Sequence, residues 1–294
     1  GIVDGSIDAY TMSTSDLLIQ RSLPRIVGYN QVLANLGEVR NRGLEFDVTS
    51  RNIQTDYFSW SSTVTFSLNR NEIVDLYGDG EDDITNRWFI GEDIDVIWDL
   101  NVLGVYQLDQ EDEAAQYGVE PGDFILEDVD NDGLLTDDDR QFLGHTTPRY
   151  RWSLRNSFSY RNLDLSFMVY SQWGHMGTYN QAKNLGNGYL DRTNYYILPY
   201  WTPDNPTNSY ARLSSSDGAA SYNVYTDRSF IRLDNISLGY SLPVNLISQL
   251  NLQQARLMVT MRNVGYYAPG DILWDPENAS PTPRVLTVGL NITL

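Results

Sequence analysis

Residues 128–139 read Asp-Val-Asp-Asn-Asp-Gly-Leu-Leu-Thr-Asp-Asp-Asp. Carboxylates stand at the first, third, fifth and twelfth places, with Gly133 at the sixth and apolar Leu135 at the eighth. That is the spacing of a calcium loop, because hard oxygen donors alternating around a sharp glycine turn can wrap a cation that takes six to eight ligands. The expected donors are Asp128, Asp130, Asp132, the Leu134 carbonyl, Thr136 (directly or through water) and Asp139, which stands where a longer glutamate is usual. Asp123 to Leu126 ahead of the loop reads extended rather than helical, so a structural Ca2+ is expected rather than a sensor's ion. The competing reading is a solvated acidic turn.

Other residues assemble no reaction. The acidic stretches at 79–83 and 109–113 carry no sign of a buried general acid and read as surface loops, so no enzyme is expected. With no cysteine there is no disulfide, thiolate zinc site or cysteine nucleophile. His145 and His175 are the only histidines, too few for a histidine metal site or triad, and both read as unremarkable residues of polar loops. Twenty basic against 39 acidic residues give 20 − 39 = −19, which counts against a nucleic-acid partner. Aromatic residues number 36, most of them Tyr or Trp, which suit membrane interfaces and stacking surfaces. Trp173, Trp201 and Trp274 fall at or within long connections, with Tyr196, Tyr200, Tyr266 and Tyr267 nearby. Their faces are candidate substrate-binding surfaces for a sugar. A girdle at the membrane interface, or loop packing, is the alternative.

The elements that position these residues are strands. Leu286, Val288, Leu290, Ile292 and Leu294 alternate with Val285, Thr287, Gly289, Asn291 and Thr293 up to the last residue. The same period of two places Leu44, Phe46 and Val48 on one face, and Trp60, Ser62, Val64, Phe66 and Leu68 on the next. It recurs in 150–160, in Leu163 to Val169, in 230–240 and in 255–263; residues 6–18 are mostly extended, with a possible turn at 13–16. About eight strands result, many near the 9–11 residues that a tilted strand needs to cross a bilayer. No run approaches the roughly 20 apolar residues of a membrane helix. Short links at 51–57, 161–162 and 241–254 alternate strictly with long ones near 21–35, 75–149, 174–228 and 264–283. All short links then share one rim, as in outer-membrane barrels. An extended stretch at 96–106 would break this parity unless a partner strand also lies within 107–148, and it is placed inside the long connection. A β-sandwich also yields alternating strands, so the rival reading is a secreted, calcium-stabilised, carbohydrate-binding sandwich. The chain opens at Gly1 without an initiator Met or signal peptide. With eight strands, this suggests the C-terminal part of a larger barrel.

Several segments together resemble one family. Tyr10 with Thr14-Ser15-Asp16-Leu17-Leu18 is similar to the "Y…T-x-D-L-L" strand of SusC/RagA-type TonB-dependent outer-membrane transporters, which favours one uninterrupted strand there. Residues 35–45 resemble their "N-(I/L)-G-E-V-R-N-x-G-(I/L/V)-E" segment. Pro121-Gly122-Asp123, then 128–133, Asp139-Arg140 and Leu143-Gly144, is similar to their "P-G-D…D-x-(D/N)-x-D-G…D-(R/K)-x-x-(I/L)-G" loop. Residues 200–206 look like "W-T-P-(E/D)-N-P", and 229–243 like "S-x-(I/L)-R-L-(K/D)-N-(I/L)-x-L-G-Y-x-L-P". Arg262-Asn263 with Asp275-Pro276-Glu277 resembles the segment before the last strand, although such barrels usually end in an aromatic residue rather than Leu294. The resemblance implies an all-β transmembrane barrel of about 22 antiparallel strands, with this chain supplying its last eight to ten. It also implies a Gram-negative outer-membrane nutrient importer for oligosaccharides or peptides. The implied partners are a SusD-like surface lipoprotein, the rest of the barrel and its plug, outer-membrane lipid, and TonB only through an N-terminal part absent here.

Overall fold

The computed structural model describes residues 2–22, 31–35, 37–184, 197–250, 252–270 and 274–293; Tyr196 and Leu294 lie outside them. Eight strands form one antiparallel sheet: β1 (Val3–Ser15), β2 (Glu38–Gln54), β3 (Phe58–Asp75), β4 (Tyr150–Tyr160), β5 (Leu163–Trp173), β6 (Phe230–Ser241), β7 (Gln254–Tyr267) and β8 (Val285–Thr293). Their order in the sheet is their order in the chain, an up-and-down meander.

Register aligns the alternation of one strand with the next. Ile7 pairs with Phe46, Phe46 with Phe66, and Phe66 with Trp152. Leu154 pairs with Val169, Leu165 with Leu238, Leu238 with Val259, and Val259 with Val288. Directly paired residues share a face, so a single apolar surface crosses all eight strands. Leu286, Val288, Leu290 and Ile292 are all more than half exposed on it. No second sheet covers this face among the described residues, which corrects the sandwich alternative. A continuous exposed apolar face suits lipid, not water. The opposite face is knit by hydroxyls and charges: Thr49–Thr63 at 2.9 Å, Thr65–Ser153 at 2.7 Å, Ser237–Thr260 at 2.9 Å, and Arg256–Asp164 at 2.7 Å.

A buried amide on the apolar face is not left unpaired. Asn156 is buried, and its Oδ1 accepts from Trp60 Nε1 at 2.9 Å and Ser62 Oγ at 2.7 Å. At the rim of the short links, the Arg161 guanidinium lies over the rings of Tyr57 and Tyr160. At the other rim Tyr150 pairs with Trp173. Amphipathic rings at both ends of an apolar band are the girdles of a membrane barrel.

The short connections are residues 55–57, Arg161-Asn162 and 242–253, the last holding the helix Val244–Ile247. The long ones all emerge at the opposite rim. Within 76–149, the stretch near 96–106 forms two short strands, Val96–Asp99 and Val102–Val105. They pair with Gln141–His145 and Phe124–Leu126 of the same connection, so parity is kept. The uninterrupted strand expected through Leu18 is corrected: β1 stops at Ser15. Asp16 takes a φ of 56° there, a left-handed turn that aspartate tolerates, and Leu18–Ser22 then pairs with Gln31–Asn35.

β2 and β3, with 17 and 18 residues, outrun the membrane, whereas β4 pairs with β3 only as far as Ser67. The upper edge of β3 is occupied by the following loop. Ile73 N–H donates to the Glu92 carbonyl at 2.9 Å, Gly91 N–H to the Ile73 carbonyl at 2.8 Å, and Ile94 N–H to Asn71 Oδ1 at 2.7 Å.

The face assignment has a direct check. Leu290→Arg in the intact barrel should cost roughly 2–4 kcal/mol near the bilayer midplane, whereas Thr287→Arg on the polar face should cost far less. Reversible urea unfolding in lipid vesicles measures both, and equal costs would show that the faces are reversed or that neither meets lipid.

Candidate functional site

Among the described residues, the buried apolar core lies not beneath the sheet but in the long connections. Leu100, Val105, Phe124 and Leu126 of 76–149 pack with Tyr179, Leu198, Trp201, Tyr210, Tyr222 and Val224 of 174–229. Two polar loops thereby become one folded cap over the open rim. Burial pushes the Tyr106 phenol up to about 12, so this hydroxyl stays neutral at any ordinary pH.

Buried carboxylates organise the cap. Asp123, fully buried, accepts from Arg212 Nε at 2.9 Å, from Ser216 N–H at 3.0 Å and from Glu120 N–H at 3.0 Å. Its bond with Arg212 raises that guanidinium's pKa further. Asp99, equally buried, takes Arg140, Asn223 Nδ2 at 2.9 Å and the Tyr225 hydroxyl at 3.1 Å. Gly122 sits beneath the Trp201 indole with a φ of 94°, where an added Cβ would come within 2.5 Å of Trp201 Cε3. Pro121-Gly122-Asp123 and Trp201-Thr202-Pro203 are therefore two halves of one loop-to-loop contact.

The calcium-loop residues lie on the cap beside the helix Glu111–Gln116. Asp128, Asp130 and Asp139 bring one carboxylate oxygen each within 4.8 Å of one another. Asp128 Oδ2 accepts from Gly133 N–H at 2.9 Å and from the Tyr117 hydroxyl at 3.0 Å, while its Oδ1 is buried without a hydrogen bond. Burial opposes ionisation of Asp128, but these donors outweigh it and hold its pKa below the usual carboxylate range. The Asp132 N–H favours the Asp130 carboxylate; desolvation and repulsion from Asp132, Asp139 and Asp128 prevail and raise its pKa. Asp139 binds Val129 N–H and Thr136 N–H, both at 2.8 Å. Asp132 turns to Leu134 N–H at 2.7 Å, and the Thr136 hydroxyl caps Asp138 N–H at 3.2 Å. Such a loop can chemically hold a hard cation between three carboxylates.

The three tryptophans do not converge. Trp201 is 7% exposed, its Nε1 donating to Gln107 Oε1 at 2.9 Å, so its faces are occupied by the cap's own packing. Trp173 shares the apolar face with Tyr150, an interfacial position. Trp274 is half-buried in the connection before β8. The histidines differ from their reading as isolated loop residues: His145 Nδ1 lies 2.8 Å from Asp93 Oδ2, and His175 is buried.

Composition did not flag the inner wall. Arg232 on β6 reaches Asp275 at 2.5 Å and Asn263 at 2.6 Å, and Glu277 takes the Tyr170 hydroxyl at 2.6 Å. The connection between β7 and β8 is thus pinned to the polar face. Burial opposes ionisation of Asp275, yet the Arg232 bond holds its pKa low. The signal was the Asp275-Pro276-Glu277 run together with a lone arginine in a strand.

Two substitutions test the loop contact. Gly122→Ala should destabilise the cap by roughly 1–3 kcal/mol through overpacking. Asp123→Ala should cost roughly 3–5 kcal/mol by stranding a charge, at the lower end because Arg212 keeps 27% exposure. Proteolysis within 76–149 and 174–229 should accelerate while the barrel keeps its heat resistance; unchanged cleavage would place the contact outside the cap's stability.

No family model matches the chain. Among curated proteins it is similar along its whole length to TonB-dependent receptor P26 of Formosa agariphila, at 29% identity over 33% of that receptor. P3 of the same organism is 31% identical over 98% of this chain and 32% of its own length. TonB-dependent receptor SusC of Bacteroides thetaiotaomicron is 26% identical over the whole chain and 30% of the relative. The chain thus spans about a third of the curated relatives it matches. Among solved structures, the RagAB peptide transporter superposes with a TM-score of 0.74 over 99% of this chain and 33% of that one, at 20% identity. Similarity along the entire chain, read with the two-faced eight-stranded meander, shows an outer-membrane barrel segment similar to the corresponding third of TonB-dependent receptors such as SusC.

Proposed function

We propose that this chain forms part of the wall and outer cap of a nutrient importer whose complete barrel holds about 22 strands. The observation that carries the reading is the meander with apolar outer and polar inner faces, its long connections gathered into a packed cap at one rim. Such a wall separates lipid from a polar path, and a folded cap is where a solute would be received. Both outer strands of the sheet, β1 and β8, have one unpaired edge among the described residues. In hydrocarbon those edges demand further strands, so the segment works only within a larger barrel. The similarity to SusC and to a peptide transporter supports oligosaccharides or peptides as cargo and a SusD-like lipoprotein docked on the cap. Energy would reach this segment through a plug and TonB contact carried elsewhere in the receptor. No chemistry is assigned to the chain itself.

Labelled oligosaccharides and peptides offered to cells with the intact receptor, without it, and without TonB check this reading. Uptake of one class should require both receptor and TonB. Identical uptake in all three strains would refute import.

Calcium is the second part of the proposal. Its support is the convergence of Asp128, Asp130 and Asp139, with the buried Asp128 Oδ1 lacking a hydrogen bond. A bound ion would remove repulsion among these carboxylates and stabilise the loop against opening. Because the ligands must be ionised, the stabilisation should be present at neutral pH and fade as they protonate in acid. Cleavage within 107–148 should slow with calcium and quicken with chelator in the wild type. Both effects should vanish in a variant carrying Asp130→Ala and Asp132→Ala; one rate under all four conditions leaves only the solvated turn.

A further inference from the structure

The longest of the three short links carries no charge. Residues 242–253 read Leu-Pro-Val-Asn-Leu-Ile-Ser-Gln-Leu-Asn-Leu-Gln, with six Leu, Ile or Val and no Asp, Glu, Lys or Arg, in a chain where 20% of residues are charged. The other two short links each hold a charge, as Thr-Asp-Tyr at 55–57 and Arg-Asn at 161–162. A connection surrounded only by water gains nothing from such apolar content.

Pro243 opens the helix Val244–Ile247. At about 100° per residue, Val244, Leu246 and Ile247 fall on one arc and Asn245 on the opposite side. Ile247 is 3% exposed, whereas Val244 and Leu246 are 74% and 54% exposed. The helix lies against β7, and Leu242 N–H donates to the Ala255 carbonyl at 2.9 Å. Ala255 is the one buried residue of β7. It faces outward, since it pairs with Ile292 of the apolar face while its neighbour Arg256 reaches inward to Asp164. What shields Ala255 therefore stands outside the wall, and the link bearing Ile247 is the part of the chain that packs there. The rim itself also changes at this point. Tyr57, Tyr160 and Tyr240 stand exposed along it from β3 to β6, but 254–258 of β7 and 289–293 of β8 contain no aromatic residue. The uncharged helix lies where the rings end.

We propose that the helix Val244–Ile247 anchors the wall in the periplasmic leaflet, with Val244 and Leu246 entering the boundary between headgroups and acyl chains and Asn245 facing water. The occupant of this arc is phospholipid, because the arc continues the lipid-facing surface at Tyr240 and Leu257, which pair with each other beside it. The missing charge sets the mode of binding. An interfacial helix held by Lys or Arg depends on anionic lipid and weakens with salt. This one has only apolar burial to offer, so it enters zwitterionic and anionic leaflets alike. Its use is to fix depth: amphipathic rings set the level of β3 to β6 in the bilayer, and the helix sets it for the strands that follow. The anchor goes beyond the import reading and rests on the membrane barrel alone.

A fluorescent NBD label on the intact receptor tests this, placed in turn on Val244→Cys, Leu246→Cys, Asn245→Cys and Leu290→Cys, with the unsubstituted receptor labelled in parallel as background. The vesicles are phosphatidylcholine, alone or mixed with phosphatidylglycerol, each containing phospholipid that carries a nitroxide quencher on its acyl chain. Labels at positions 244 and 246 should be quenched about twofold or more above the label at 245, as expected for an apolar arc buried in the interface. The quenching should be equal in both lipid mixtures and should persist in high salt. Quenching no stronger at 244 and 246 than at 245 shows that the arc meets water or another protein, and overturns the anchor. Quenching that requires phosphatidylglycerol or fades in salt overturns it as well, because the binding would then be electrostatic. The label at 290 should be quenched throughout; silence there removes the lipid-facing surface and the anchor with it. Val244 and Leu246 are separate probes of one arc, so a folding failure of either variant leaves the other as the test.

Discussion

Hydrocarbon offers no hydrogen bonds, and most of this structure follows from that. A backbone that crosses lipid must satisfy every N–H and C=O within the protein, which a sheet does only through its neighbours on both sides. The chain-order meander does this for six of its eight strands and, among the described residues, leaves β1 and β8 each with one free edge. The same requirement explains Asn156, a buried polar residue on the outward face. Its carbonyl oxygen is taken by Trp60 and Ser62 on the neighbouring strand, so lipid meets a ring system rather than an amide. Alternation then allocates the side chains: apolar residues outward, hydroxyls and ion pairs inward.

Beyond the membrane the constraint is reversed. Water satisfies the loops readily, and long polar connections would stay open unless something drew them together. Apolar contacts between 76–149 and 174–229 supply part of that drive, but the geometry is fixed by fully buried carboxylates. Asp123 and Asp99 each collect one guanidinium and several neutral donors, which compensates desolvation that a bare ion pair would not recover. The acidic composition thus has two structural uses: solvated surface outside, and hubs for loop crossings inside.

The barrel wall was legible in the sequence because its signal is local. A period of two along each strand survives without knowledge of partners, and alternating link lengths reveal which rim each loop occupies. The cap was legible only as recurring short motifs. Nothing local says that Gly122 lies under Trp201, about 80 residues away, or that Arg212 belongs to Asp123. The tryptophans misled for the same reason: a ring in a loop looks available for stacking until its packing partners are known. Trp201 is consumed by the cap, and Trp173 sits at the lipid interface. The break at Asp16 was legible as a possible turn, and the family motif alone argued it away. The calcium spacing, by contrast, is local, and the fold brings three of its carboxylates together.

The notch in the wall has a consequence for how such receptors can diversify. Above Ser67, β3 has no strand on its β4 side among the described residues, and the cap is seated there by main-chain hydrogen bonds from Ile73 and Gly91. Main-chain bonds do not depend on which side chains the loop carries. The seat is therefore indifferent to loop sequence. A mounting of this kind lets specificity be rewritten in the loops while the height and orientation of the platform stay constant. One wall can then carry many different caps.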